Sequence, residues 1–271
     1  MEKNRSNLGI LGCGWLGIPL AKNLIKEGFY VRGSARKKEN LLRIEATNAR
    51  AYHVNCTEDG CERCEDFLRG LDWLIICLPP GVRQNPSRRF DRAMEHLVDS
   101  IVSEKIQKVI FISSISVYGW QAGVITEQHP LLPSTESGKQ LVKCEHLLLS
   151  NPHFETVVLR FGGLIGPNRN PIHQLSKKSF IPNPNDVINF IHQVDCIEII
   201  KACIDQFKGG EAYNAVSPYH PKRVDFYTQL AKKQGLDCPP FKEIRLGERH
   251  ISSAKLKKEL GVKFLVENLL T

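Results

Sequence analysis

Residues 8–21 read LGILGCGWLGIPLA, and the fold turns on what that stretch is. Leu8 to Leu11 is a short apolar run of strand length. Leu16, Leu20 and Leu24 then recur every four residues, which places them on one face of a helix. Gly28 suits the end of that helix, and Phe29-Tyr30-Val31 begins a second strand. The glycines of Gly12-x-Gly14-x-x-Gly17 therefore fall between a strand and a helix, inside a βαβ unit. In that setting Gly12 permits a tight turn, Gly14 lets a pyrophosphate approach the backbone, and Gly17 lets the helix pack on the strand. Amide N–H groups at the helix start are placed to hold phosphates. Pro19 falls in the first turn, where a missing N–H costs little.

The same stretch imitates a secretion leader, with Lys3 and Arg5 ahead of an apolar run and ILGC resembling a lipoprotein cleavage site. Cleavage before Cys13 would remove the first strand, so the expectation is a strand and not a leader. No other run is long and apolar enough to span a membrane.

The second strand runs into RGSARKK (residues 32–38). A site for NAD(H) usually places an acid about 20 residues past the glycines, for the ribose hydroxyls. Here stand Ser34, Arg36, Lys37 and Lys38, and no acid. A hydroxyl and three cations suit a 2′-phosphate, which predicts NADP(H) over NAD(H). Arg36 is the first candidate, because guanidinium pairs with phosphate through two N–H groups. Trp15 and Leu16 within the glycine loop, and Leu78 and Pro79 after the fourth strand, complete the expected cofactor contacts.

Bulk properties agree with a soluble globular chain. It has 271 residues, 42% of them hydrophobic and 24% charged, with a net charge of +8. A basic balance attracts anions. With no nucleic-acid motif present, an anionic small ligand is favoured over DNA or RNA. Nine cysteines, several inside apolar runs (Cys77, Cys196, Cys203), suggest reduced thiols in a cytosol and no disulfide framework. Cys56, Cys61 and Cys64 show a C-x4-C-x2-C spacing, but no fourth ligand is nominated, so no metal is expected.

Strands and helices keep alternating: strands near Ala51–Val54, within LDWLIICLPP, at Lys108–Ile112 and at Thr156–Phe161, with helices over Phe90–Ile106 and Gly138–Leu149. Such alternation implies a parallel sheet covered on both faces, with ligands at the strands' carboxyl ends. The expected fold is α/β: a Rossmann-type doubly wound parallel sheet with a small C-terminal substrate lobe. After Gly166, Pro and Asn cluster in GPNRNP and IPNPND, which reads as an excursion from the sheet. The expected division is 1–166 with 187–218 for the dinucleotide domain, and 167–186 with 219–271 for the lobe.

The fifth strand continues into SSISVYG, and from there the chain resembles the extended short-chain dehydrogenase/reductase superfamily, which holds nucleotide-sugar epimerases and dehydratases. LRFGGLIGPNR, NFIHQVDCIEII, GGEAYNAVSP and SSAKLKKELG each resemble a segment of that family, in order along nearly the whole chain. The resemblance implies that Ser114 hydrogen-bonds the substrate's reacting oxygen, with Ser116 assisting from the same strand face. It also implies a Tyr-x-x-x-Lys pair on the next helix, but Ser137 and Leu141 stand in those places, and Leu11 replaces the first family glycine. The chain is thus most similar to an atypical bacterial subgroup, epimerase/dehydratase-like with incomplete active-site residues. Leu141 fits an apolar stripe with Cys144 and Leu148, which gives it a packing role.

A hydride transfer to a carbonyl generates an alkoxide that needs a hydrogen-bond donor or a proton. Tyr118 is the candidate replacement donor, with His129 behind it; His192 more naturally ties strand to loop. His220, Arg223 and Tyr227 are polar candidates in the lobe. Three readings stand: an NADP(H)-preferring oxidoreductase or epimerase-like enzyme acting on a small polar carbonyl or sugar-like substrate; a catalytically silent NADPH sensor; and a β-hydroxyacid dehydrogenase, whose opening GILGCGWLGIPLAKNLIKEG and CLPP resemble. The last needs a long all-helical second domain that residues 166–271 do not supply. The expected protein is cytoplasmic, without nucleic-acid or membrane partners. Pairing into a homodimer through the two long helices would resemble the family, though their stripes also suit the sheet.

Overall fold

The computed structural model describes residues 6–82, 85–244 and 248–270. Lys3 and Arg5, the basic part of the leader-like segment, lie outside them. Seven parallel strands form the central sheet: β1 (Asn7–Leu11), β2 (Tyr30–Ala35), β3 (Arg50–His53), β4 (Trp73–Ile76), β5 (Lys108–Ser114), β6 (Glu155–Phe161) and β7 (Ala212–Ala215), in the order β7-β6-β5-β4-β1-β2-β3. The helices are α1 (Gly17–Lys26), α2 (Lys38–Glu45), α3 (Cys64–Leu68), α4 (Phe90–Ser103), α5 (Glu136–Leu149), α6 (Gln193–Asp205), α7 (Arg223–Lys233) and α8 (Ala254–Leu260), beside short turns. This is the α/β, Rossmann-like architecture expected.

The strands are apolar on both faces because both faces are covered. Leu11, Leu74, Ile76, Phe111 and Val158 join the core under α3, α4 and α5, while Ile10, Trp73, Ile75, Ile110 and Val157 join the core under α1 and α6. The two-residue period of a strand is what divides them. The stripes of α4 (Phe90, Met94, Leu97, Ile101) and α5 (Leu141, Cys144, Leu148) are buried against the protein's own sheet.

The leader-like stretch is β1, held between β2 and β4 by register pairs such as Leu11↔Ser34 and Leu11↔Ile76. Among the described residues no helix is long and apolar enough to cross a membrane. The strand order reverses at β1, so a crevice opens beyond its carboxyl end.

Lys38 begins α2 directly after the basic end of β2. Three sequence expectations need correction. Cys56 and Cys61 are not both free thiols, since Cys56 faces Cys61 across a short antiparallel hairpin (Asn55–Thr57 with Gly60–Glu62), with Cα atoms 4.1 Å apart, and a disulfide joins them. β5 ends at Ser114 in a 3-10 turn over Ile115–Tyr118, so Ser116 does not share a strand face with Ser114. Finally, the tail does not stay in the small lobe. Leu256 and Leu260 of α8 bury in the main core, and Arg249–Ile251 pairs with Gly123–Ile125.

A third, smaller core gathers Ile165, Ile172, Ile181, Ile188, Phe226, Tyr227 and Leu230. Beside it the rings of His220 and His250 lie 3.8 Å apart, and the His220 ring meets the Ile188 carbonyl. Burial first, then the neighbouring His250 and Lys257, push the His220 pKa down to about 4, against the Ile188 hydrogen bond. Its folded pKa lies below the unfolded value of about 6.5, so the unfolded chain binds the proton first. Stability is therefore fully present above about pH 6.5 and falls as pH drops towards 4. Denaturant titrations between pH 4 and 7 should show His220→Gln with a flatter pH dependence than the parent; parallel curves would remove this role for His220.

Candidate dinucleotide site

The crevice at the strand-order reversal is a cavity of about 400 Å³, and its walls include Gly12, Gly14, Trp15, Leu16, Gly17, Ser34, Arg36, Leu78, Pro79 and Ser114. The structure thus brings together every expected cofactor residue except Lys38 with one of the expected catalytic residues. Gly12 has φ +97°, a left-handed value that favours glycine, and a Cβ there would stand 2.9 Å from Leu78 Cδ2 and 3.2 Å from the Cys77 carbonyl carbon. A Cβ on Gly17 would meet the Gly12 carbonyl oxygen at 3.0 Å. Both positions are closed by the protein itself. Gly14 differs: no atom beyond residues 13–15 lies within 4 Å of where its Cβ would be, on a cavity wall. The bare backbone there faces open space, as a pyrophosphate cradle requires.

The turn is braced from β2. Gly12 N donates to Ser34 Oγ at 3.1 Å, and Cys13 N donates to the Ser34 carbonyl at 2.7 Å. Ser34, expected at the 2′-phosphate, is almost fully buried and fixes the glycine loop instead. Arg36 is exposed at the rim, with Lys37 beside it; Lys38 does not line the cavity. Among the described residues the wall holds Arg36, Lys37 and Arg169 and no carboxylate.

Arg169 was not foreseen. Its guanidinium lies over the Trp15 ring, 5.1 Å from the centroid. Trp15 Nε1 donates to the Pro167 carbonyl at 2.7 Å, and Gln193 Nε2 donates to the Trp15 carbonyl at 2.6 Å. The GPNRNP segment is thus no plain excursion; it folds back over the glycine loop. Its only sequence signal was an arginine within a run otherwise made of turn residues.

At the other end, Ser114 Oγ accepts the Ser116 amide at 3.1 Å. Its own O–H remains to donate, and it lies on the cavity wall. Leu141, in the place the resemblance gives a lysine, also lines the cavity, 3% exposed; Ser137 does not line it. Ser116 does not line it either.

Tyr118 is turned the other way. It is fully buried, its O–H donates to Asn214 Oδ1 at 2.8 Å, and Arg160 Nη1 donates to its oxygen at 2.7 Å. Burial raises its pKa, opposed by Arg160. A phenol so held cannot serve as a donor in the cleft. His129 Nδ1 accepts the Thr126 amide and braces its own loop. His192 caps α6, accepting the Val194 amide. His220, Arg223 and Tyr227 lie in the small lobe, off this wall.

Two thiols reach the cavity, Cys13 and Cys77. Burial pushes Cys13 up to about 12 and Cys77 higher still. Neither gives up or takes a proton near neutrality. Tyr, His, Asp and Glu are missing from the described wall. The arrangement can hold a dinucleotide and donate one hydrogen bond from Ser114, but among the described residues its wall carries no His, Tyr or carboxylate for general acid–base work.

Residues 7–89 match the family model described as the NAD binding domain of 6-phosphogluconate dehydrogenase. Beyond residue 89 the chain adds three more strands to the central parallel sheet and does not continue as an all-helical domain. Over 262 residues it is 34% identical to Protein YeeZ of Escherichia coli K12, covering 95% of each chain. It is 24% identical over 255 residues to the 4-hydroxy-2-methyl-3-oxo-4-farnesyl-3,4-dihydroquinoline-1-oxide ketoreductase of Stigmatella aurantiaca, covering 86% of this chain and 76% of that one. Among solved structures, UDP-glucuronic acid 4-epimerase from Bacillus cereus in complex with NAD superimposes with a TM-score of 0.81 at 19% identity, covering 97% and 96%. At that identity the likeness is one of fold.

Proposed function

The chain belongs to the family of Protein YeeZ, and from that premise we propose that it is an NADP(H)-preferring oxidoreductase acting on a small polar carbonyl or sugar-like substrate. The observation that carries the reading is the cleft itself: an open backbone at Gly14, a cationic rim at Arg36 and Lys37, and no carboxylate on the described wall. A bound nicotinamide would supply or accept hydride. The Gly12–Gly17 amides and the start of α1 would hold the pyrophosphate, Trp15 and Arg169 would cover it, and Leu141 would give the nicotinamide an apolar contact. Ser114 donates its hydroxyl hydrogen to the substrate oxygen, and the proton that completes reduction comes from solvent.

Arg88 supports the phosphate preference. Its guanidinium lies against Gly81, next to the cavity residues Pro79 and Pro80. Burial lowers its pKa, and the charge of Arg36 adds to that. Two guanidiniums near enough for one to lower the other's pKa suit a dianion.

Calorimetry should give tighter binding of NADPH than of NADH. Arg36→Ala should weaken NADPH by roughly 10- to 100-fold, the worth of a charge-assisted hydrogen bond, and leave NADH within about twofold. Equal affinities in the parent would overturn the preference.

The absence of a proton-transfer side chain on the described wall favours a second reading, a protein that binds NADPH and reports it without turnover. Incubation with 4-deuterated NADPH and a carbonyl panel separates the two. Label loss that depends on a carbonyl supports the oxidoreductase. Tight binding with no label loss supports the sensor.

A further inference from the structure

Cys56, Cys61 and Cys64 lie outside the cleft, and their sulfurs all fall within 4.8 Å of one another. Cys56 and Cys64 are buried and Cys61 is half-buried. The disulfide between Cys56 and Cys61 spans a sequence separation of five, across two strands already paired through their backbones. Stabilisation by a disulfide grows with the loop it closes, so this bridge sits at the low end as a staple. A bridge that stabilises little and has a third sulfur beside it is better suited to exchange. A structural zinc site would need four ligands, and two of these three sulfurs already share a bond.

We propose that the three cysteines form a reversible thiol–disulfide site, with Cys61 as its entry point and Cys64 as a reserve partner for Cys56. A low-molecular-weight disulfide is the oxidant. The Cys61 thiolate attacks one sulfur of that disulfide, breaks its S–S bond and releases one thiol, leaving a mixed disulfide on Cys61. The Cys56 thiolate then attacks Cys61 Sγ and expels the second thiol. Two protein thiols are oxidised, the small disulfide is reduced to two thiols, and the two protein protons leave on them. Cys61 is the entry because it alone of the three is open to solvent. Burial pushes the Cys64 thiol up to about 12, so it stays protonated while the Cys56–Cys61 bond is whole.

The test uses the full chain in glutathione buffers from fully reduced to fully oxidised, approached from both directions. Samples are quenched in acid, unfolded, alkylated and mapped by mass. The chain has nine cysteines, so reduced protein should carry nine alkyl groups. Oxidised protein should carry two fewer, missing at Cys56 and Cys61, with one midpoint from either direction. In Cys61→Ser the missing pair should move at equilibrium to Cys56 and Cys64 and should form more slowly than in the parent, because the solvent-facing entry is lost. In the triple serine variant every remaining cysteine should alkylate in every buffer. Full alkylation throughout, a bridge that persists in reduced glutathione, or a bridge between other cysteines would overturn the proposal.

Discussion

Replacing Gly14 with aspartate should leave the melting temperature unchanged and abolish dinucleotide binding at ordinary concentrations. The two halves of this expectation come from one fact. No atom beyond residues 13–15 lies within 4 Å of where a Gly14 Cβ would be, so a Cβ there meets no other part of the fold. Gly14 is also absent from the positive-φ glycines, so the backbone accepts an L residue without strain. The carboxylate would instead enter the cavity at the start of α1, where the pyrophosphate is to sit. It takes the helix-terminal amides for itself and repels the phosphates. Losing two charge-assisted hydrogen bonds alone amounts to about 3–4 kcal/mol, or several hundredfold in affinity. Thermal melts and calorimetry on the same preparation check it. A variant that melts normally and binds NADPH as tightly as the parent would place the dinucleotide elsewhere. The same substitution at Gly17 is no substitute, because a Cβ there meets the Gly12 carbonyl and would cost stability.

That contrast also explains what was readable in the sequence. The glycine loop is legible because its constraint is local: a left-handed φ at Gly12, a close approach at Gly17 and an open side at Gly14, all within six residues. The sheet is legible because WLII and KVIFI bury on two faces, and only a covered parallel sheet tolerates that. What is not legible depends on partners far along the chain. Arg169 enters the cleft by lying over Trp15, which bonds across 152 residues to Pro167. Tyr118 fails as a donor for a subtler reason. Continued as a strand, Ser114, Ser116 and Tyr118 would share one face. The 3-10 turn that begins at Ile115 breaks that alternation and sends the phenol into the core, where Asn214 and Arg160 wait for it. No local pattern announces the turn. Ser137 and Leu141, by contrast, stand plainly in the sequence at the places the resemblance gives to Tyr and Lys, and in the structure Leu141 lines the cleft while Ser137 does not.

The group that captures Tyr118 carries the largest stability prediction. Arg160 and Glu145 form an ion pair at 2.7 Å with side chains only 6% and 1% exposed. Arg160 donates to Glu145 through Nε and Nη2 and to Tyr118 through Nη1, and Ser113 donates to Glu145 from β5. Glu145→Ala would leave a buried guanidinium with no counter-charge and strand the Ser113 hydroxyl. Breaking such a pair on one side costs about 3–5 kcal/mol, whereas replacing both partners by apolar groups of similar volume is often neutral. Glu145→Ala should therefore lower the midpoint of thermal unfolding by roughly 6–20 °C for a chain of this size. The double variant Arg160→Met, Glu145→Leu should recover most of that loss, although Tyr118 then keeps only its bond to Asn214. Urea unfolding of the three proteins decides it. A single variant that loses less than about 1 kcal/mol would mean that water reaches the pair. A double variant as unstable as the single one would mean that the network fixes the end of β5, and with it Ser113 and Ser114 on the cleft wall, beyond what packing alone can replace.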